Sequence, residues 1–215
     1  MHTVPLTHQL VTIQDDFDLD KIIESGQCFR PQKLADGRYR FLSGGALLYL
    51  TPLGAGQYDA AWYGSDWACW ANYFDLGRNY AALRCSLAGQ SSYLDKSLDF
   101  GQGIRILHQD PWEMLITFLI SQRKSIPAIR GCVEALCQRF GRALPCGARG
   151  FPSPRRLARA TEEELRACGL GYRAPYVLAS ARMFARCEVD LRACAQLDDP
   201  ALLEMLMTFP GVGVK

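Results

Sequence analysis

At 215 residues the chain is long enough for one large domain or two modest ones, and 49% hydrophobic with 21% charged residues excludes a disordered or fibrous protein. No apolar run approaches the length of a membrane span. The net charge of +2 is unevenly placed: residues 1–100 carry 8 Lys/Arg against 11 Asp/Glu, and residues 101–215 carry 16 against 11, 14 of the 16 being arginine. A basic half joined to an acidic half suggests that one face meets a polyanion, although a solvated surface gives the same count. The opening MHTVPLTHQLVTIQDD lacks a basic region followed by an apolar core, so no signal peptide is read. A cytoplasmic location is expected, nucleoid-associated if the source is a bacterium.

Nine cysteines invite a disulfide or metal reading, but their number is odd and no C-x-x-C pair occurs. His2, His8 and His108 are too scattered for a zinc constellation. The cysteines are taken as reduced and mostly structural.

In chain order, a short helix is predicted at Leu19–Glu24, closed by Ser25-Gly26. Residues 38–64 carry aromatic and aliphatic runs broken by Gly44-Gly45, Pro52 and Gly54-Gly56, the pattern of antiparallel strands joined by turns. Ser65 is read as the N-cap of a helix over DWACWANYF. From residue 110 the chain reads as successive helices. DPWE offers Asp110 as N-cap, Pro111 at the first helical position and Glu113 at N3, a capping-box arrangement. SIPAIRGCVEALCQRFG places Ile126, Ile129, Val133, Cys137 and Phe140 on one face and stops at Gly141. TEEELRACG has Thr161 as cap, Glu164 at N3 and Gly169 as terminator. Another helix runs from Arg173 to about Cys187, and DDPALLEMLMTF starts the last with Asp199 and Pro200. The predicted fold is α+β: an N-terminal antiparallel β domain with flanking helices (1–104), then an all-α domain (105–215).

The motif that carries chemistry is the terminal TFPGVGVK. Gly211 and Gly213 permit positive φ, so successive amides around Val212 can point outward together. Such a nest binds phosphate without side-chain charge. This is the hairpin of a helix–hairpin–helix DNA-binding element; a helix C-cap followed by an unrelated glycine turn is the plainer alternative.

Four further stretches, DKIIESGQCFRP, GIRILHQDPWEMLITFLISQ, SIPAIRGCVEALCQRFG and GLGYRAPYV, stand in order before the hairpin. Together these segments resemble the 8-oxoguanine DNA glycosylase family of the helix–hairpin–helix glycosylases, over about residue 10 to 215. The resemblance implies a base-excision DNA glycosylase with AP-lyase activity on oxidised purine in damaged double-stranded DNA, working as a monomer. Lys215 falls where bifunctional members carry a lysine that attacks the sugar C1′, displaces the base and leaves an imine that promotes β-elimination. That chemistry needs a neutral amine, hence a site that desolvates the lysine or sets a cation beside it. The target base is flipped into a pocket. There the Gly26 carbonyl would accept the N7–H that distinguishes 8-oxoguanine from guanine, with Phe29 as pocket wall. A C-cap glycine and a core phenylalanine are the alternatives for that pair. Tyr172 and Arg173 match the positions that wedge into the duplex and contact the orphaned cytosine, a core tyrosine and an arginine at a helix N-terminus being the alternatives.

Two departures stand out. The loop after Gln122 places Arg123 and Lys124 where better-known members have an asparagine-rich run, and Ala128 where they have a cytosine-reading arginine. Strict preference for cytosine opposite 8-oxoguanine is therefore in question, while Gln122, Arg123 and Lys124 remain DNA-contact candidates. The family also uses an aspartate about twenty residues beyond the lysine, and any iron–sulfur cluster of the wider superfamily would also lie beyond residue 215, so the sequence reads as the N-terminal portion of a glycosylase. A non-catalytic DNA-binding remnant or an inactive fragment is the second reading. An alkylated-purine glycosylase is the third, disfavoured by Lys215. No cofactor is called, beyond a monovalent cation that the hairpin carbonyls could hold.

Overall fold

Glycine pairs cut the first half into strands, and the computed structural model, which describes residues 5–190 and 193–213, joins them into one five-stranded sheet. The strands are β1 (Thr7–Thr12), β2 (Gln32–Lys33), β3 (Tyr39–Ser43), β4 (Ala46–Gly54) and β5 (Gln57–Tyr63), ordered β1-β5-β4-β3-β2. β4 and β5 form an antiparallel hairpin with Leu47 opposite Tyr63 and Leu50 opposite Ala60, and β1 runs antiparallel along β5. β1 has no counterpart in the sequence prediction. It is an edge strand in which only Val11 is buried, so no alternation marks it.

The chain divides into two compact units, one holding residues up to 42 and 46–109, the other 43–45 and residues from 110 onward. In the first, α1 (Leu19–Glu24) and α2 (Trp67–Tyr73) supply Leu19, Ile22, Trp70 and Tyr73 to a core shared with Phe41, Leu48, Leu50 and Trp62 of the sheet. Phe74 stands edge-on to Phe41 at 4.9 Å and to Phe17 at 5.2 Å, the geometry that aromatic quadrupoles favour. α2 opens one residue later than predicted: Asp66, in extended conformation, accepts the Cys69 N–H at 2.8 Å, a stronger cap than the Ser65 hydroxyl. α3 (Tyr80–Leu87) and α4 (Ser92–Gly101) bury no residue, so neither shows the apolar stripe that would have revealed it.

The second unit is helical, as predicted. α5 (Pro111–Ser121) starts on Asp110, whose carboxylate accepts the Glu113 N–H at 2.8 Å, and buries seven of its eleven residues. α6 (Ile126–Phe140) buries Ile129, Cys132, Val133, Leu136, Cys137 and Phe140, whereas the predicted Ile126 lies exposed on its first turn. α7 (Pro154–Leu157) is short, and α8 (Glu162–Ala167) has the full reciprocal capping box between Thr161 and Glu164. α9 (Ala174–Ala185) follows a 3-10 turn at Gly171–Arg173, and α10 (Asp199–Met207) leads into the hairpin. Phe209, just past α10, stacks on Phe184 of α9 at 5.5 Å, and Phe184 meets Trp112 of α5 edge-on at 4.9 Å. This aromatic run fixes where the hairpin begins.

Among the described residues no helix is long and apolar enough to cross a membrane, and no three His, Cys, Asp or Glu side chains gather as a metal site.

Candidate functional site

Three segments of the second unit converge: the loop between α5 and α6, the turn before α9, and the hairpin after α10. α5 ends at Ser121 because Gln122 leaves the helix at ψ 119 and Arg123 turns to φ 51, the left-handed region. Gln122 then acts twice. Its side-chain amide donates to the Gly211 carbonyl at 2.7 Å, and its own carbonyl accepts from both Nε and a terminal nitrogen of Arg173. Lys124 Nζ donates to the Gly169 carbonyl at 3.0 Å, and Cys132 Sγ to the same oxygen at 3.3 Å. These bonds satisfy carbonyls that the helix ends leave open, and they tie the loop to both other segments.

The hairpin is a turn of Phe209, Pro210, Gly211 and Val212, closed by the Val212 N–H donating to the Phe209 carbonyl at 3.0 Å. Pro210 at the second position and Gly211 at φ 87 in the third are what a type II turn requires. A Cβ on Gly211 would lie 2.6 Å from the Tyr176 ring, so close approach as well as backbone angle demands glycine. Because the Val212 amide closes the turn, the run of outward amides expected from the sequence is interrupted. The Gly211 and Gly213 amides find no hydrogen-bond partner among the described residues. Lys215 lies outside the described residues.

The site's charge is one-sided. No aspartate or glutamate occurs between Glu113 and Glu134, between Glu164 and Glu188, or after Glu204. Arg123 is exposed and Lys124 half-buried, while Tyr172 is 49% exposed with the Arg173 guanidinium 4.2 Å from its ring centre. Arg173 itself is buried, its donors directed to the carbonyls of Gln122 and Leu170 rather than outward. Ala128 is exposed on the first turn of α6 and offers no polar side-chain group.

In the first unit Gly26 adopts φ 80 immediately after Ser25, which ends α1. A Cβ there would meet nothing within 4 Å, so the glycine answers to backbone conformation. Phe29 is half-buried. Sequence reasoning missed the residue after Gly26, Gln27. Its side-chain amide donates to the Arg105 carbonyl at 2.9 Å, its side-chain oxygen accepts the Leu107 N–H at 3.1 Å, and its backbone carbonyl accepts from Gln109 at 2.7 Å. One glutamine thus joins two motifs, SGQCFR and RILHQ, that are nearly eighty residues apart.

Arg105 was missed as well. It is buried, lies 4.2 Å over the Tyr80 ring, and donates to the carbonyls of Phe74, Asp15, Asp16, Asp75 and Arg78 at 2.6–3.2 Å. An arginine inside the apolar GIRIL run was the available signal. Asp15, which it contacts, accepts the N–H groups of Tyr80 and Ala81 at the start of α3. Burial opposes the Asp15 charge, but the Ala81 and Tyr80 amides and Arg105 outweigh it and hold the carboxyl below its usual value.

An α+β chain whose helical half ends in a glycine hairpin braced by a basic loop has the build of a helix–hairpin–helix glycosylase. Family profiles agree: residues 9–115 match the 8-oxoguanine DNA glycosylase N-terminal domain, and residues 116–212 the HhH-GPD superfamily of base excision DNA repair proteins. The chain belongs to the 8-oxoguanine DNA glycosylase family. It is 36% identical over 129 residues to the N-glycosylase/DNA lyase of Saccharomyces cerevisiae, 53% of this chain and 34% of that protein. It also superimposes on the Clostridium acetobutylicum 8-oxoguanine glycosylase/lyase, solved with DNA containing cytosine opposite 8-oxoguanine, with a TM-score of 0.85, at 30% identity over 99% of this chain and 76% of that one. MBOgg1, solved with a low-affinity DNA ligand, gives a TM-score of 0.88, at 30% identity over 98% and 76%. The matched region amounts to about a third of the yeast protein.

Proposed function

We propose that the chain binds damaged duplex DNA and carries out base excision on oxidised purine such as 8-oxoguanine, with Lys215 as the nucleophile that displaces the base and supports strand nicking by β-elimination. The observation that carries this reading is the brace of Gln122 between Gly211 and Arg173, which holds hairpin, basic loop and Tyr172 turn as one piece. The Gly211 and Gly213 amides, without a hydrogen-bond partner among the described residues, and the lack of aspartate or glutamate in the three converging segments suit a phosphate. Tyr172, half-exposed with its ring 6.3 Å from that of Tyr176, which packs on Gly211, suits an aromatic wedge. Gly26 and Phe29 are assigned to base recognition, and Arg123, Lys124, Gly211, Val212 and Gly213 to backbone contact. Arg173 reaches the orphaned base only by exchanging its carbonyl partners for base acceptors. With Ala128 silent and Arg173 held, weak discrimination of the opposite base follows. In the cell the protein is assigned to the cytoplasm, nucleoid-associated if the source is a bacterium.

The experiment is equilibrium binding of wild type and Lys215→Gln to duplexes with 8-oxoguanine opposite each of the four bases. Preference for damaged over undamaged duplex, with a spread below about tenfold among opposite bases, agrees with the reading, a single bidentate base contact being worth about 1–3 kcal/mol. Equal binding to damaged and undamaged DNA contradicts it and leaves a DNA-binding module.

A further inference from the structure

Outside the braced site, the stretch Ala135–Thr161 holds six arginines and no aspartate or glutamate. The fold gathers them. Arg139 and Arg156 lie 5.7 and 5.2 Å from the centre of the Phe140 ring, one from α6 and one from α7. Arg142 accepts the Gly150 N–H through its carbonyl at 2.9 Å, and Arg149 reaches the Gly141 carbonyl at 3.4 Å, so the loop folds back on the end of α6. Arg155 on α7 and Arg159 just past it continue the surface; both are exposed and meet no carboxylate among the described residues. Of the nearby acids on α8, Glu164 takes Arg139 at 3.0 Å and Glu162 takes Arg166 at 3.2 Å. What remains, at Arg155 and Arg159, is exposed positive charge with no carboxylate partner among the described residues.

Such a cluster repels itself unless an anion covers it, and the guanidinium fork is shaped for phosphate oxygens. Position gives the anion its class. The cluster sits at the C-terminal end of α6, whose N-terminal end adjoins the Gln122–Lys124 loop, and 15 residues separate these ends by about 22 Å. At about 3.4 Å per base pair that distance is some six base pairs of duplex. We infer that the α6–α7 arginine surface is a second backbone contact, which holds the phosphates of flanking DNA about six base pairs from the hairpin. The inference rests on the DNA-binding reading above and adds to it a surface that neither hairpin nor base pocket contains.

The test compares wild type with the Arg155→Gln/Arg159→Gln double variant on loop-closed duplexes of about 5 and about 24 base pairs, the shorter, about 17 Å long, unable to reach both contacts. Each phosphate contact contributes about 0.9 to the slope of log K against log salt. The double variant should therefore lose up to about 1.8 of slope on the long duplex, so that its affinity deficit against wild type shrinks about tenfold between 50 and 200 mM salt, with no change on the short one. Arg155→Lys/Arg159→Lys, which keeps the charge, should restore most of the slope. Equal affinity and slope for wild type and the Gln variant on the long duplex would overturn the second contact and leave the hairpin reading standing. Wild type that binds neither duplex would overturn both. A loss of equal size on both duplexes would also overturn it, since that marks a general charge effect.

Discussion

The side-chain amide of Gln122 donates to the carbonyl of Gly211 at 2.7 Å, so the loop after α5 holds the hairpin by a contact between residues 89 positions apart. The bond is exposed and neutral, worth about 1 kcal/mol at most. Gln122→Ala should lower stability by that amount and weaken DNA binding by more than the loss of one side chain suggests, because the hairpin amides lose their fixed direction. A thermal melt beside a binding isotherm checks it; unchanged affinity would mean the hairpin is held by its aromatic anchors alone.

Gly211→Ala meets two obstacles, φ 87 and the Tyr176 ring 2.6 Å from the added carbon. A left-handed non-glycine residue costs about 1–3 kcal/mol before any clash is counted. The expected outcome is destabilisation by about 2–4 kcal/mol by denaturant titration. The companion Gly211→Ala/Tyr176→Ala variant should recover only the steric share, leaving the backbone cost visible.

Arg123 occupies φ 51 without being glycine or asparagine. Strain at an exposed cation is what a residue kept for contact rather than stability would show. Arg123→Asn should raise stability by about 1 kcal/mol while the salt slope of DNA binding falls by about 0.9. A gain in stability with no change in slope would remove Arg123 from the interface.

Asp15 links stability to pH. Its folded carboxyl titrates below the ordinary value, so its contribution is fully present above the unfolded value of about 3.9 and is lost as pH falls through the lower folded value. Asp15→Asn should cost about 1.5 kcal/mol at pH 7, the net worth of hydrogen bonds to a charged acceptor. The gap to wild type should close below about pH 4. Urea titrations at pH 7, 5 and 3 follow it.

Legibility in the sequence tracks how local the causes are. α5 and α8 carry their own start signals and begin where the predicted Asp110 and Thr161 cap them, whereas α1 and α10 are capped by Asp18 and Asp198, neither of which the sequence reading singled out. The β4–β5 hairpin is marked by its turn glycines. β1 and α3 are not legible because their stability comes from partners distant in sequence: β5 for the one, Asp15 and the Arg105 guanidinium over Tyr80 for the other. The site behaves alike. The glycine turn is a local signal and its φ follows from residue type, whereas the bracing by Gln122, the burial of Arg173 and the Gln27 clamp exist only once remote segments meet.

The central claim is imine chemistry at Lys215 delivered to DNA by the braced hairpin. Borohydride trapping tests it most directly, on duplexes carrying 8-oxoguanine opposite cytosine or an abasic site, with Lys215→Gln as control. The account predicts a lysine-dependent covalent band on both duplexes, formed by wild type and weakened in Gly211→Ala. No band on either duplex, with DNA still bound, would contradict it.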